Sequence, residues 1–275
     1  MDQRQRILDY VPGHTLQNPN HVRRVLLQVF GMAGHGKSAM INSSLCVVMG
    51  DQPYQNVARS ASSHEEVTKA RQEYPLTPKL VMVDNRGLNK LNEAEKLEIN
   101  AQFRQLRSLG EVTWSEKNLI ESIRQFKQQE GTRQEDFIVP VFVYSCYREW
   151  NCMEGDVIKN IFTSVHQITG IQPIVVITRC SLGNWKKIEA KFVEFGCTHI
   201  VAMENYTENN QTRTRETDEN VLKLLTMCIE EAETGIGKLA KQDPSRRPIK
   251  MMMGQIDQDL ELLRKTKLKY KTFMK

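Results

Sequence analysis

The order that most constrains this chain is an apolar run, Val25-Leu26-Leu27-Gln28-Val29-Phe30, leading straight into Gly31-Met32-Ala33-Gly34-His35-Gly36-Lys37-Ser38. A nearly continuous apolar run reads as a strand buried on both faces. From Ala39 to Met49, apolar residues at Ile41, Leu45, Val48 and Met49 suit a helix packed on a sheet. The segment between them fits G-x-x-x-x-G-K-S, a pattern that requires a strand before it and a helix after it. A triphosphate needs donors without steric bulk. Glycines let backbone N–H groups turn inward, and the helix N-terminus presents its positive end. Lys37 would reach the β- and γ-phosphates, and the Ser38 hydroxyl would ligate Mg²⁺. Ala33, Gly34, His35, Gly36 and Ala39 complete the expected cradle, with His35 better suited to a structural than a catalytic role.

A second buried-type strand, Lys79 to Asp84, ends in Asp84-Asn85-Arg86-Gly87, a D-x-x-G. An Asp at a strand tip beside a phosphate loop can hold Mg²⁺ through water, and Gly87 can offer its N–H to a γ-phosphate. Residues 50 to 78 show little periodicity, the place where phosphate-loop proteins fold a mobile segment over the γ-phosphate. Ser60, Ser62, Ser63 and Thr68 are candidate magnesium hydroxyls there, with Thr68 preferred; a plain surface loop is an equal reading of each.

Further along, Glu93 to Leu109, Gly155 to Thr169, Trp185 to Phe195 and Asp218 to Lys241 read as helices. Phe137 to Tyr144, Pro173 to Thr178 and His199 to Met203 read as strands, with regular pairing of the first expected only after Pro140. Strands alternating with helices imply an α/β fold, a mainly parallel sheet with helices on both faces, which with the phosphate loop makes a three-layer P-loop domain. Ligands then bind at the carboxyl ends of the strands, where every motif found here falls. The expected organisation is a lead-in over 1–22, a domain over 23–242 with a charged, Gln-rich insertion at about 110–136, and a basic amphipathic helix over 243–275. From Arg264 onward that helix holds six basic residues and no acidic one. It either folds back on the domain with a solvated end or meets a protein or an anionic membrane.

Composition narrows the class. The net charge of +5 gathers near the C-terminus, so no basic stripe or motif marks a nucleic-acid binder. Six cysteines without C-x-x-C or zinc spacing read as reduced, mainly buried thiols of a cytoplasmic protein. The N-terminus carries no apolar signal region, no apolar run approaches the ~18 residues of a membrane span, and no lipidation box is evident.

The succession Gly31 to Ser38, Asp84 to Gly87 and Thr178-Arg179 resembles the guanine-nucleotide-binding proteins. Thr178-Arg179-Cys180-Ser181 resembles a degenerate [NT]-[KR]-x-D, and His199 to Thr207 sits where the last guanine-binding motif belongs. Lys37 to Ser43, and Glu204-Asn205-Tyr206 with the helix after it, look like the GTPase-like domain of the interferon-induced forty-four-kilodalton protein family. The resemblance covers about residues 22–240. It implies a Ras-like G-domain core, GTP or GDP with Mg²⁺ as ligands and a cytoplasmic, immune-linked protein, and says little about a reaction.

Two departures stand out. Ser181 occupies the place of the carboxylate that usually reads guanine, and Leu88 follows Gly87 where many GTPases carry a water-orienting Gln, which a leucine cannot replace. Guanine still demands an acceptor for its N1–H and N2–H₂. Glu204 at the next strand end is the candidate, with Asn205 assisting and the Arg179 stem stacking on the base, as in GTPases related to chloroplast import receptors; a plain turn cap is the other reading. The foremost functional expectation is therefore a slow GTPase, a switch or assembly unit with a homodimer across its nucleotide face. A degenerate scaffold that binds partners without hydrolysis comes second, and a phosphoryl- or sulfuryl-transfer enzyme last.

Overall fold

A computed structural model of the protein describes residues 2–14, 16, 22–50, 53–58, 70–105, 110–111, 136–148 and 150–241. In chain order the elements are α1 (Gln3–Leu8), β1 (Arg24–Gly31), α2 (Lys37–Met49), β2 (Ala70–Pro75), β3 (Leu80–Asp84), α3 (Glu93–Phe103), β4 (Gly110–Glu111), β5 (Asp136–Ser145), α4 (Cys152–Thr169), β6 (Ile174–Thr178), α5 (Trp185–Glu194), β7 (Ile200–Met203) and α6 (Arg215–Ala240). The strands form one sheet in the order β4-β2-β3-β1-β5-β6-β7. β1, β3, β5, β6 and β7 run parallel, β2 runs antiparallel to β3, and β4 pairs antiparallel with β2 at the edge.

Alternation along β1 sends its side chains to two separate cores. Val25, Leu27 and Val29 meet α1, α2 and α6, where Met40, Ile41, Leu45, Val221 and Leu225 are buried. Leu26 and Phe30 share a core with Phe103 of α3, Phe162 of α4 and Phe192 of α5, together with Tyr144 of β5. Phe30 lies edge-on to Phe103 and Phe142, each with ring centres 5.1 Å apart. This is the three-layer α/β arrangement expected from the alternating pattern. β1 stands at the centre, with β3 on one side and β5 on the other. The chain therefore winds away from β1 in both directions, which opens a crevice at its carboxyl end.

Several local expectations are corrected. β5 pairs with β1 from Asp136 onward, straight through Pro140 opposite Gln28. Only the ladder to β6 waits until Val141, one residue past the proline. Residues 70–75 form a strand where none was read, because ARQEYP has no apolar alternation. Its inward residues are Arg71, which donates to the fully buried Gln28 at 3.3 Å, and Tyr74. Helix α3 stops at Phe103 rather than Leu109, followed by Arg104 and by Gln105 at φ 56°; residues 106–109 lie outside the described residues. α4 starts at Cys152, capped by the Asn151 side chain, and α6 at Arg215, capped by Thr214. Ser60, Ser62, Ser63, Thr68, most of the expected insertion and the C-terminal segment 243–275 also lie outside the described residues.

Candidate functional site

The phosphate loop sits at the carboxyl end of β1 and follows the sheet's geometry closely. Gly31 has φ 142°, and a Cβ there would lie 2.3 Å from Val143 O on β5, so no side chain fits. Gly36 has φ 91° and is the N-cap of α2, whose first turn has no side-chain cap. That leaves the N-terminal dipole of a thirteen-residue helix facing the loop. The Lys37 ammonium is buried and bonds Gly31 O at 3.3 Å and Met32 O at 3.0 Å. Burial lowers its pKa to about 8, with Asp84 pulling the other way. The Ser38 hydroxyl donates to Asp84 Oδ2 at 2.9 Å, joining the start of α2 to the end of β3. A serine hydroxyl and a carboxylate side by side are the oxygen donors a hard divalent cation takes, alongside water and phosphate oxygens.

His35 ties the loop to the neighbouring strands. Its Nδ1 accepts the Ser145 N–H at 3.1 Å, which places the neutral ring's proton on Nε2. Its carbonyl accepts the Thr178 hydroxyl at 2.8 Å, and its ring meets Tyr144 edge-on at 4.9 Å. Thr178 thus positions the loop backbone from the end of β6.

The D-x-x-G segment is joined to the loop directly. Leu88 N–H donates to Gly31 O at 3.0 Å and Ala33 N–H to Leu88 O at 2.8 Å, a parallel bridge between the two segments. Gly87 lies so close that a Cβ would fall 2.5 Å from Ala33 Cα. The Leu88 side chain is 1% exposed and belongs to the aromatic core with Phe30 and Tyr144. Glu95 secures the segment from the other end, accepting the N–H groups of Asn89, Lys90 and Leu91 at 3.1, 3.0 and 2.7 Å. Neither Glu95 nor the anchoring role of Leu88 was legible in the sequence.

The opposite end of the crevice gathers Arg179, Ser181, Glu204 and Asn205. Arg179 adopts the left-handed conformation, φ 56° and ψ 44°, at the start of a short 3₁₀ turn over Cys180–Leu182. Its guanidinium carbon stands 6.0 Å from the exposed Tyr147 ring, within cation–π range. Its carbonyl accepts the Cys146 thiol at 2.8 Å. Ser181 N–H donates to Glu204 Oε1 at 2.6 Å, so the carboxylate of β7's end lies against the position that lacks one. Burial pushes Cys180 up to about 12 and raises Cys146, which keeps both thiols neutral beside Glu204. Asn205 Nδ2 donates to Gly36 O at 3.4 Å.

These bonds and close approaches tie the loop to the ends of β3, β6 and β7: Ser38 to Asp84, Ala33 to Gly87 and Leu88, His35 to Thr178 and Gly36 to Asn205; Thr68 lies outside the described residues. Residues missed by sequence reading are Asn42 and Ser43 on α2, which reach the loops around this crevice. Asn42 bonds Ala58 and Asn56, and Ser43 accepts the Tyr206 N–H. Their signal is polarity in the middle of a helix buried from Lys37 to Val48.

No protein-family model matches this chain and no curated protein sequence matches it significantly. Among solved structures it is similar to a nucleolar GTP-binding protein 1 from Plasmodium falciparum, at 14% identity and a TM-score of 0.32, over 94% of this chain and 100% of that one. A likeness that distant decides nothing about chemistry; the three-layer P-loop architecture rests on the strand order and loop geometry themselves.

Proposed function

We propose that the protein binds a guanine nucleotide with Mg²⁺ and turns it over slowly, as a switch or assembly unit. Lys37 and the backbone of Gly34 to Ala39 hold the phosphates, and Ser38 and Asp84 hold the cation. When bound, that cation neutralises charge on the phosphate oxygens. Gly87, beside the loop, faces the γ-phosphate end. The observation that carries the guanine part is the Ser181 N–H to Glu204 Oε1 bond. It supports this reading by fixing a carboxylate acceptor, of the kind guanine's N1–H and N2–H₂ require, against the Ser181 position, with Arg179 and Asn205 close to it in the chain. The resemblance to the interferon-induced forty-four-kilodalton family supports a cytoplasmic role in innate immune defence. A homodimer across the nucleotide face, and a contact of residues 243–275 with protein or anionic membrane, belong to the same reading.

A second reading, a scaffold without significant hydrolysis, is favoured by the burial of Leu88 and its backbone bridge to the loop. Single-turnover measurement with radiolabelled GTP and Mg²⁺ separates the two. Phosphate release that Lys37→Ala abolishes supports the first; stoichiometric binding without release supports the second. Identification of the copurifying nucleotide tests both, and an adenine nucleotide would refute the guanine assignment.

A further inference from the structure

Helix α2 is buried along nearly its whole length, yet its middle carries Asn42, Ser43 and Ser44 in succession. Each is fully buried, so each needs partners. The Ser44 hydroxyl donates to Met40 O at 2.9 Å, within its own helix. The Ser43 hydroxyl donates in the same way to Ala39 O at 2.8 Å but also accepts the Tyr206 N–H at 2.8 Å. Tyr206 is itself 1% exposed, so that amide has no solvent to turn to. Two residues earlier on the same loop stands Glu204, whose carboxylate is held from the other side by Ser181 N–H. Asn205 between them reaches Gly36 O at the loop's own N-cap.

Asn42 makes the second connection. Its Nδ2 donates to Ala58 O at 2.8 Å and its Oδ1 accepts Ala58 N–H at 2.7 Å, as a neighbouring strand would. The same amide reaches Asn56 Oδ1 at 2.8 Å. Asn56 in turn donates to Glu208 Oε1 at 2.6 Å, back on the loop that carries Glu204. α2, residues 56–58 and residues 204–208 therefore form a closed triangle of side-chain bonds.

We propose that Ser43 is a positioning residue for base recognition: through the Tyr206 amide it sets the height of Glu204 above the phosphate loop, with Asn42, Asn56 and Glu208 bracing the same loop from its other side. The inference rests on the guanine reading of Glu204. The helix that presents its N-terminus to the phosphates thereby also fixes the distance from phosphate site to base site. A loop shifted by a lost bond leaves the half-buried Glu204 acceptor misaligned, and discrimination between bases depends on that alignment. Phosphate contacts, which lie on the loop side of α2, do not depend on it.

The test compares wild type, Ser43→Ala and Ser44→Ala in titrations with GTP, ATP and inorganic tripolyphosphate, all with Mg²⁺. Ser44→Ala removes an equally buried hydroxyl that touches no loop, so it reports the purely structural cost. Ser43→Ala is expected to lower the GTP-to-ATP preference by about tenfold, the effect of one misaligned polar contact, with tripolyphosphate affinity unchanged. Ser44→Ala is expected to keep both. A wild type that prefers GTP, with a Ser43→Ala variant that keeps the full preference, overturns this inference alone. An equal loss in Ser44→Ala overturns it as well. A wild type that binds GTP and ATP equally overturns the guanine reading and this inference with it. Should Ser43→Ala not fold, Glu208→Ala opens the triangle at its exposed corner: a reduced preference supports the proposal and an unchanged one overturns it.

Discussion

Replacing Lys37 by methionine should stabilise the ligand-free protein while removing its affinity for nucleotide. The ammonium is buried, and burial lowers its pKa from the ordinary 10.5 to about 8 even though Asp84 opposes the shift. That gap corresponds to roughly 3 kcal/mol against the charged form in the folded state. Methionine keeps most of the length and carries no charge. With the charge cost counted separately, what stands against the relief is the loss of the neutral amine's contacts to Gly31 O and Met32 O, worth about 1 kcal/mol each. The ligand-free variant should therefore be about 1–2 kcal/mol more stable than wild type at neutral pH, or roughly 2–8 °C in Tm for a chain of this size. The pH dependence has a definite sign. Because the folded pKa lies below the unfolded one, the wild-type penalty is complete below about 8 and disappears as pH rises towards 10.5. The advantage of Lys37→Met should shrink over that window. Nucleotide affinity of the wild type should fall above pH ~8, since a neutral lysine must take up a proton to meet the phosphates. Urea titrations of nucleotide-stripped proteins across this range, paired with GTP calorimetry, measure both effects. A ligand-free Lys37→Met protein less stable than wild type, or a gap that does not narrow with pH, would refute the reasoning.

Other substitutions probe the remaining contacts. Gly87→Ala must push the D-x-x-G segment off Ala33, because a Cβ would lie 2.5 Å from Ala33 Cα; nucleotide affinity should drop about tenfold, as for roughly 1.4 kcal/mol of misfit, and an unchanged titration would rule out the close approach. Leu88→Ala should cost about 2–5 kcal/mol in urea denaturation, as for a leucine lost from a packed core; a cost well below that range would mean that Leu88 is not an anchor. Glu204→Ala should lower GTP affinity and erase preference over ATP with tripolyphosphate binding intact, and full GTP preference in the variant would end the assignment of Glu204 to the base.

The parts of the fold legible in the sequence are those that depend on local pattern. The β1 run, the glycine loop and the apolar spacing of α2 need no distant partner to be read. β2, second from the edge and flanked outside only by the two-residue β4, was missed because Arg71, Gln72 and Glu73 hide the period of two. The starts of α4 and α6 were missed because Asn151 and Thr214, ordinary polar residues in sequence, become caps only through the backbone they meet. The candidate site divides in the same way. Residues at strand ends were found by motif. Ser43 was not, because its bond to Tyr206 spans 163 residues of chain.

Leu88 shows why a motif departure has to be followed into the structure. In sequence it is only an absent glutamine. In the fold it fills the core beside Phe30 and Tyr144, and its backbone closes two hydrogen bonds onto Gly31 and Ala33. Drawing it out would expose a buried leucine, about 2–3 kcal/mol, and break bonds worth about 1 kcal/mol each. The released conformation is then populated at roughly one part in a thousand or less. A γ-phosphate that moves this segment must supply several kcal/mol through Gly87 and the loop, whereas a diphosphate asks for no such movement. The residue that removes a water-orienting side chain thus also raises the energy of the state in which that side chain would act, and under the proposed GTPase reading both effects slow turnover in the same direction.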